Sequence, residues 1–152
     1  MTEQDKHGPT FVYAIYIRAR PEAIWQALTD ADFTAKFWSG RRCETDWQQG
    51  SALTMRAPDG SVDFAGEVLE SDPARRLVYT FDVRGSDEPA SRVTYELEPI
   101  GGTVRLTVTH DRFPPDSAVH RGVAKGWPGI LSGLKSLLET GQSLELHPQG
   151  GG

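Results

Sequence analysis

The residues of this chain that could do chemistry are few and scattered. Its four histidines, His7, His110, His120 and His147, have no spacing that would hold a metal. His110 is the sharpest polar candidate. It ends the alternating run "TVRLTVTH" (103–110) on the parity of Val104, Leu106 and Val108, so it faces inward at a strand end. An imidazole there can bind a ligand carbonyl or serve as acid or base; the other reading is a structural histidine bonded to loop backbone. Asp111 and Arg112 follow it, but neighbours along a strand point opposite ways, so no dyad is implied. Tyr79 and Tyr95 share the inward parity of their own runs, and their phenols would be polar handles in an apolar interior. Glu44 and Asp46 read as a solvated edge rather than paired carboxylates. Cys43 has two arginines beside it but no base, which fits a plain buried thiol. There is no GxSxG, no phosphate loop and no dinucleotide fingerprint. No metal, no cofactor and no catalytic residue is therefore assigned.

Composition narrows the classes further. The chain has 152 residues, close to the size of one domain. One cysteine excludes an intrachain disulfide and fits a reducing cytoplasm. The net charge of −5 argues against nucleic acid as the main partner. No apolar run reaches membrane-span length, and "MTEQDKHGPT" lacks the apolar centre of a secretory signal. Residues 1–10 and 147–152 read as flexible tails around a single domain, 11–146.

The elements that must position the candidates emerge from periodicity. "FVYAIYIRA" (11–19) reads as a strand with apolar residues on both parities, which predicts two covered faces or close contact with a helix. "RPEAIWQALTD" starts a helix at Pro21, and "DADFTAKFW" a second, with Asp30 as N-cap and Gly40 as stop. Strands come next near 43–47, 51–57, 61–71, 76–83, 91–99 and 103–110, separated by turns such as "PDG", "DPAR" and "GG". Met55, Phe64, Tyr79, Phe81 and Tyr95 stand on their inward parity. The chain closes on "AVHRGVAKGWPGILSGLKSLLETG" (118–141), whose stripe runs from Val119 and Val123 through Trp127 to Leu138. The fold class is α+β: a curved antiparallel sheet of about six or seven strands around a long C-terminal helix, with two short helices after the first strand.

That last element carries a conflict. Pro128 removes the bond to the Ala124 carbonyl and costs about 3 kcal/mol inside a regular helix. Gly122 and Gly126 weaken the same stretch. A kink or break between Val123 and Pro128 is predicted, or a separate helix starting near Lys125 to Trp127. A bent rod over a sheet leaves space beneath it.

Four stretches together, "IRARPEAIWQALTDADFTAKFW", "GEVLESDPARRLVYTF", "VTHDRF" and "GWPGILSGLKSLLETG", resemble the START-like (SRPBCC) superfamily with its helix-grip fold. Within it they are most similar to the branch named for homologues of the activator of a heat-shock chaperone ATPase. The resemblance implies an apolar cavity between sheet and long helix, taking a lipid, polyketide or other apolar molecule. It also implies that Trp38 and Trp127 lie at that cavity or its mouth; core packing is the alternative for both. The ligand-binding set is then Trp38, Met55, Phe64, Tyr79, Phe81, Tyr95, His110 and Trp127. Binding or sensing of an apolar small molecule is the leading expectation. A cyclase or dehydratase using His110 or a tyrosine as acid/base is the second. A co-chaperone-like module is the third, and it is disfavoured because no large exposed patch or charged face is apparent. A homodimer stays open.

Overall fold

A computed structural model describes residues 8–144. Strand β1 (Phe11–Ile17) leads into helix α1 (Pro21–Thr29) and helix α2 (Ala31–Phe37). Six more strands complete the sheet: β2 (Arg42–Glu44), β3 (Ala52–Arg56), β4 (Val62–Asp72), β5 (Arg76–Val83), β6 (Ser91–Ile100) and β7 (Thr103–Asp111). Helix α3 (Ala118–Thr140) closes the fold. The seven strands form one antiparallel sheet in the order β1-β7-β6-β5-β4-β3-β2. Only β1 departs from a plain meander, because the two helices between β1 and β2 carry the chain from one sheet edge to the other.

Local chemistry explains most boundaries. Pro21 sits in the first turn of α1, where its missing N–H is no loss. Asp30 caps α2 by accepting from the amides of Asp32 and Phe33. Ser117 caps α3 by accepting from the His120 amide, and Gly141 ends it in the left-handed conformation. Sheet curvature comes from register breaks at Met55/Arg56 and between Val68 and Glu70. Gly66 is obligatory in β4: a Cβ there would stand 1.9 Å from the Thr80 carbonyl oxygen.

Two expectations need correction. Of the two readings of the first strand, close contact with a helix holds, since β1 packs against α3, and two covered faces does not. Val12 and Tyr16 are 60% and 50% exposed while Ile17 is buried, so β1 has one wet face. Val12 and Tyr16 stand on the outer face of the sheet, which no helix covers, while Phe11, Tyr13, Ile15 and Ile17 face the core. The second correction concerns the final helix. It runs unbroken through Pro128. Burial of Trp127, Leu131, Leu134 and Leu137 against the sheet and the α1–α2 pair outweighs the local cost of one lost bond. Of the expected tails, residues 8–10 are described, and the Gly8 amide donates to the Phe113 carbonyl; the rest lies outside the described residues.

The edge strand β1 is protected on part of its open side. Lys135 Nζ donates to the Tyr16 carbonyl at 2.6 Å, and Glu139 accepts from the Arg18 amide at 2.7 Å. Both groups lie on α3, so the helix terminus blunts the sheet edge.

Candidate functional site

The eight candidate residues converge on the inner face of the sheet beneath the middle of α3, and all are buried. Sheet register places them. Met55 lies across from Phe64, Tyr79 from Val93, Phe81 from Ser91 and Val93 from His110. Trp38, the C-cap of α2, and Trp127, from α3, close the layer from above. Phe64 and Phe81 approach to 4.1 Å between ring centroids, Trp38 and Phe64 to 6.0 Å, and Trp38 and Trp127 to 5.4 Å. Tyr95 meets Trp127 edge to face at 6.0 Å. These are the offset and tilted geometries that aromatic quadrupoles favour. The space between sheet and helix is thus occupied by the protein's own rings, and a guest there requires one of them to move.

Two polar devices sit in this aromatic layer. The first is a directed chain of hydrogen bonds. Trp127 Nε1 donates to His110 Nδ1 at 3.0 Å. An indole N–H can only donate, so Nδ1 must be the acceptor and the neutral ring carries its proton on Nε2. That proton points at Ser91 Oγ, 2.8 Å away. The Ser91 hydroxyl in turn donates to the Phe81 carbonyl at 3.2 Å. One chain therefore links α3, β7, β6 and β5. His110 is fully buried, between the Phe81 ring at 4.7 Å and the Phe113 ring at 4.6 Å. Burial pulls its pKa down to about 3, with Asp111 opposing and His120 adding to the shift. The imidazole is neutral at physiological pH, and both nitrogens are engaged.

The second device is a tyrosine pair. Tyr79 and Tyr95 hydroxyls lie 3.0 Å apart in the interior. Burial drives both phenols well above their usual range. Neither is poised to lose a proton near neutrality. Cys43 is close by, and burial followed by the Glu44 charge pushes its thiol up to about 12, so it is an inert core thiol.

Residues outside the eight fall elsewhere. Asp111 pairs with Arg92 through two bonds, at 3.0 and 2.7 Å, and not with Arg112. Glu44 pairs with Arg56 on the surface. Trp47 lies outside any strand, at a positive φ of 57°, and packs half-buried against the core. Two solvent-open concavities, about 420 Å³ and about 770 Å³, lie at the α3 terminus beside β1 and on the outer sheet face, and are lined largely by polar and charged groups. Neither includes any of the eight. Among the described residues no cluster of His, Cys, Asp and Glu could hold a metal, and no helix is long and apolar enough to cross a membrane.

Three contributors escaped the sequence reading. Ser91 opens β6 on the inward parity of Val93 and Tyr95, which was a readable signal. Phe113 stands in the loop after β7 with no periodicity to mark it. Glu88, in the β5–β6 loop, accepts from Ser117 Oγ at 2.6 Å and from the amides of Ala118 and Val119 at 2.9 and 3.3 Å. It holds the first turn of α3 from outside the helix, a partnership of long sequence separation.

Comparison with known proteins agrees with this architecture. The family model described as "Activator of Hsp90 ATPase homolog 1-like protein" matches residues 18–139. A structure of a protein from Mesorhizobium loti superposes with a TM-score of 0.77 at 27% identity, covering 86% of this chain and 97% of that one. The solution structure of the Aha1 dimer from Colwellia psychrerythraea gives 0.75 at 22% identity, with 89% and 99% covered. A protein of the dynemicin biosynthetic locus gives 0.75 at 23%, with 88% and 48% covered. Among curated proteins, flap endonuclease 1 from Talaromyces stipitatus is 29% identical over 103 residues, 59% of this chain. The matched part spans 26% of that relative's length.

Proposed function

This chain belongs to the Activator of Hsp90 ATPase homolog 1-like family, and from that premise we propose that it binds or senses an apolar small molecule between the sheet and α3. The observation that carries the reading is the aromatic layer itself. Trp38, Phe64, Tyr79, Phe81, Tyr95 and Trp127 face one another there, with only the relay and the tyrosine pair as polar groups. A core built for stability alone is served by Leu, Ile, Val, Phe and Ala, whereas four of these six rings are Trp or Tyr, which carry polar atoms. Flat rings with a few fixed polar handles are the lining of small-molecule sites. Burying a ring-sized guest at about 25 cal/mol per Å² supports micromolar binding after ordering costs.

The enzymatic alternative has less support. A general acid or base must offer a free lone pair or a labile proton. The lone pair of His110 is spent on Trp127, its pKa near 3 leaves no imidazolium to act as an acid at neutral pH, and its Nε2–H is engaged with Ser91. The tyrosines are held protonated. A neighbour solved as a dimer keeps self-association in view.

A panel of hydrophobic compounds, followed by thermal shift and tryptophan fluorescence, tests the reading. Saturable stabilisation without loss of the compound supports it. Turnover would favour the enzyme, and no response to any compound would sink it.

A further inference from the structure

We infer that the Trp127 indole occupies the ligand seat as a removable plug, and that the guest which replaces it is a flat bicyclic aromatic carrying one N–H or O–H donor. This rests on the ligand-binding reading above and names its guest. The seat is defined by the groups around the indole. Trp38 and Tyr95 wall it at 5.4 and 6.0 Å between centroids, and His110 Nδ1 receives its N–H at 3.0 Å. With the indole gone, the same walls bound a bicycle-sized space with one buried acceptor at its end. A guest without a donor would leave that acceptor orphaned in a dry interior, and a lost partner there is costly. A guest with one donor restores the relay and keeps His110 in its Nε2–H form.

The helix is built so that this one side chain can leave. Gly126 precedes Trp127, and Pro128 comes directly after it and deprives the Ala124 carbonyl of its helical donor. From Ala118 to Gly126 no α3 side chain is fully buried, and Gly122 interrupts the stretch, whereas Leu131, Leu134 and Leu137 anchor the later turns of the helix. The forward segment is held by the Glu88 carboxylate at its first turn, by the His120 ring against Phe113 at 5.2 Å, and by Val119 and Val123, which pack half-buried on the core. Each of these ties is partial, because none of the segment's side chains is fully buried. Rotation about residues 126–128 lifts the forward segment and draws the indole out with it. The guest then exchanges ring for ring, so its apparent affinity is its intrinsic affinity reduced by the fraction of molecules with the plug out.

The test uses the full chain and two probes of nearly equal shape, 2-naphthol and 2-methylnaphthalene. Indole N–H signals of the four tryptophans are followed by NMR, with Trp127 assigned from Trp127→Phe. One hydrogen bond of about 1 kcal/mol corresponds to roughly fivefold. The expected result is that 2-naphthol binds about fivefold or more tighter, although the methyl compound is the more hydrophobic. The Trp127 signal moves and loses its protection from solvent exchange as 2-naphthol saturates. In His110→Phe the preference reverses; if that variant does not fold, Glu88→Gln, which loosens the segment without touching the seat, should speed 2-naphthol association severalfold. Binding of either compound with the Trp127 signal in place overturns the plug and leaves the ligand reading standing. Equal or reversed preference in the native chain overturns the donor requirement. Binding of neither compound overturns both.

Discussion

Ser91→Ala is the sharpest probe of the buried relay. The substitution removes one oxygen and creates almost no volume change. It leaves the His110 Nε2–H, fully buried between Phe81 and Phe113, with no acceptor. An orphaned buried donor costs about 1–3 kcal/mol. The Phe81 carbonyl loses a second donor, a smaller loss because it has two lone pairs. The expected single-site cost is therefore about 2 kcal/mol, which for a chain of this size lowers Tm by about 4–8 °C. The decisive number is not that cost but its coupling. In a His110→Phe background the donor that Ser91 satisfies no longer exists, so the second substitution should cost well under 1 kcal/mol. Urea unfolding of the four proteins gives the cycle directly, and a coupling of about 1–2 kcal/mol is expected. Costs that add to within about 0.5 kcal/mol would refute the relay. So would a His110 that ¹⁵N NMR shows protonated on Nδ1 at neutral pH.

Acid should weaken the fold through the same histidine. The folded pKa is near 3 and the ordinary value is 6.5, so the unfolded chain binds the extra proton throughout that window. Its contribution is whole above pH 6.5 and is lost as pH falls toward 3, with a slope of up to about 1.4 kcal/mol per unit; His110→Phe should flatten that part of a stability–pH curve. Glu88→Gln should cost about 1 kcal/mol by weakening the α3 cap, and speed amide exchange at 118–126 but not at 131–138. Trp127→Ala should cost about 3 kcal/mol or more, and added indole should restore part of the lost Tm where indene restores less. Pro128→Ala returns a donor to the Ala124 carbonyl and should stabilise the protein by about 1–2 kcal/mol while weakening 2-naphthol binding.

The order and class of elements were legible because each is written locally. Alternation in 76–83, 91–99 and 103–110 marks half-buried strands, and Pro21 and Asp30 mark helix starts. Six of the eight inward candidates were legible for the same reason, since strand parity selects one sheet face; Trp38 and Trp127, at a helix cap and on α3, came from the resemblance instead. The judgements that failed depend on a partner far away in sequence. Pro128 and its glycines predict a kink or a break; no break occurs, because Trp127 and the leucines beyond it find a sheet and two helices to pack on. The two apolar parities of β1 leave two covers or contact with a helix open, and only the packing of α3 on the inner face of the sheet decides for the helix. The use of His110 could not be read either. Its partners Ser91 and Trp127 stand 19 and 17 residues away and reach it only through strand pairing and helix placement.

The seat of the guest is the central claim. A structure of the protein saturated with 2-naphthol measures it directly. The ligand is predicted between β5–β7 and α3, its hydroxyl on His110 Nδ1 and its rings against Trp38 and Tyr95. A saturated complex with the aromatic layer intact and 2-naphthol on an outer surface would contradict it.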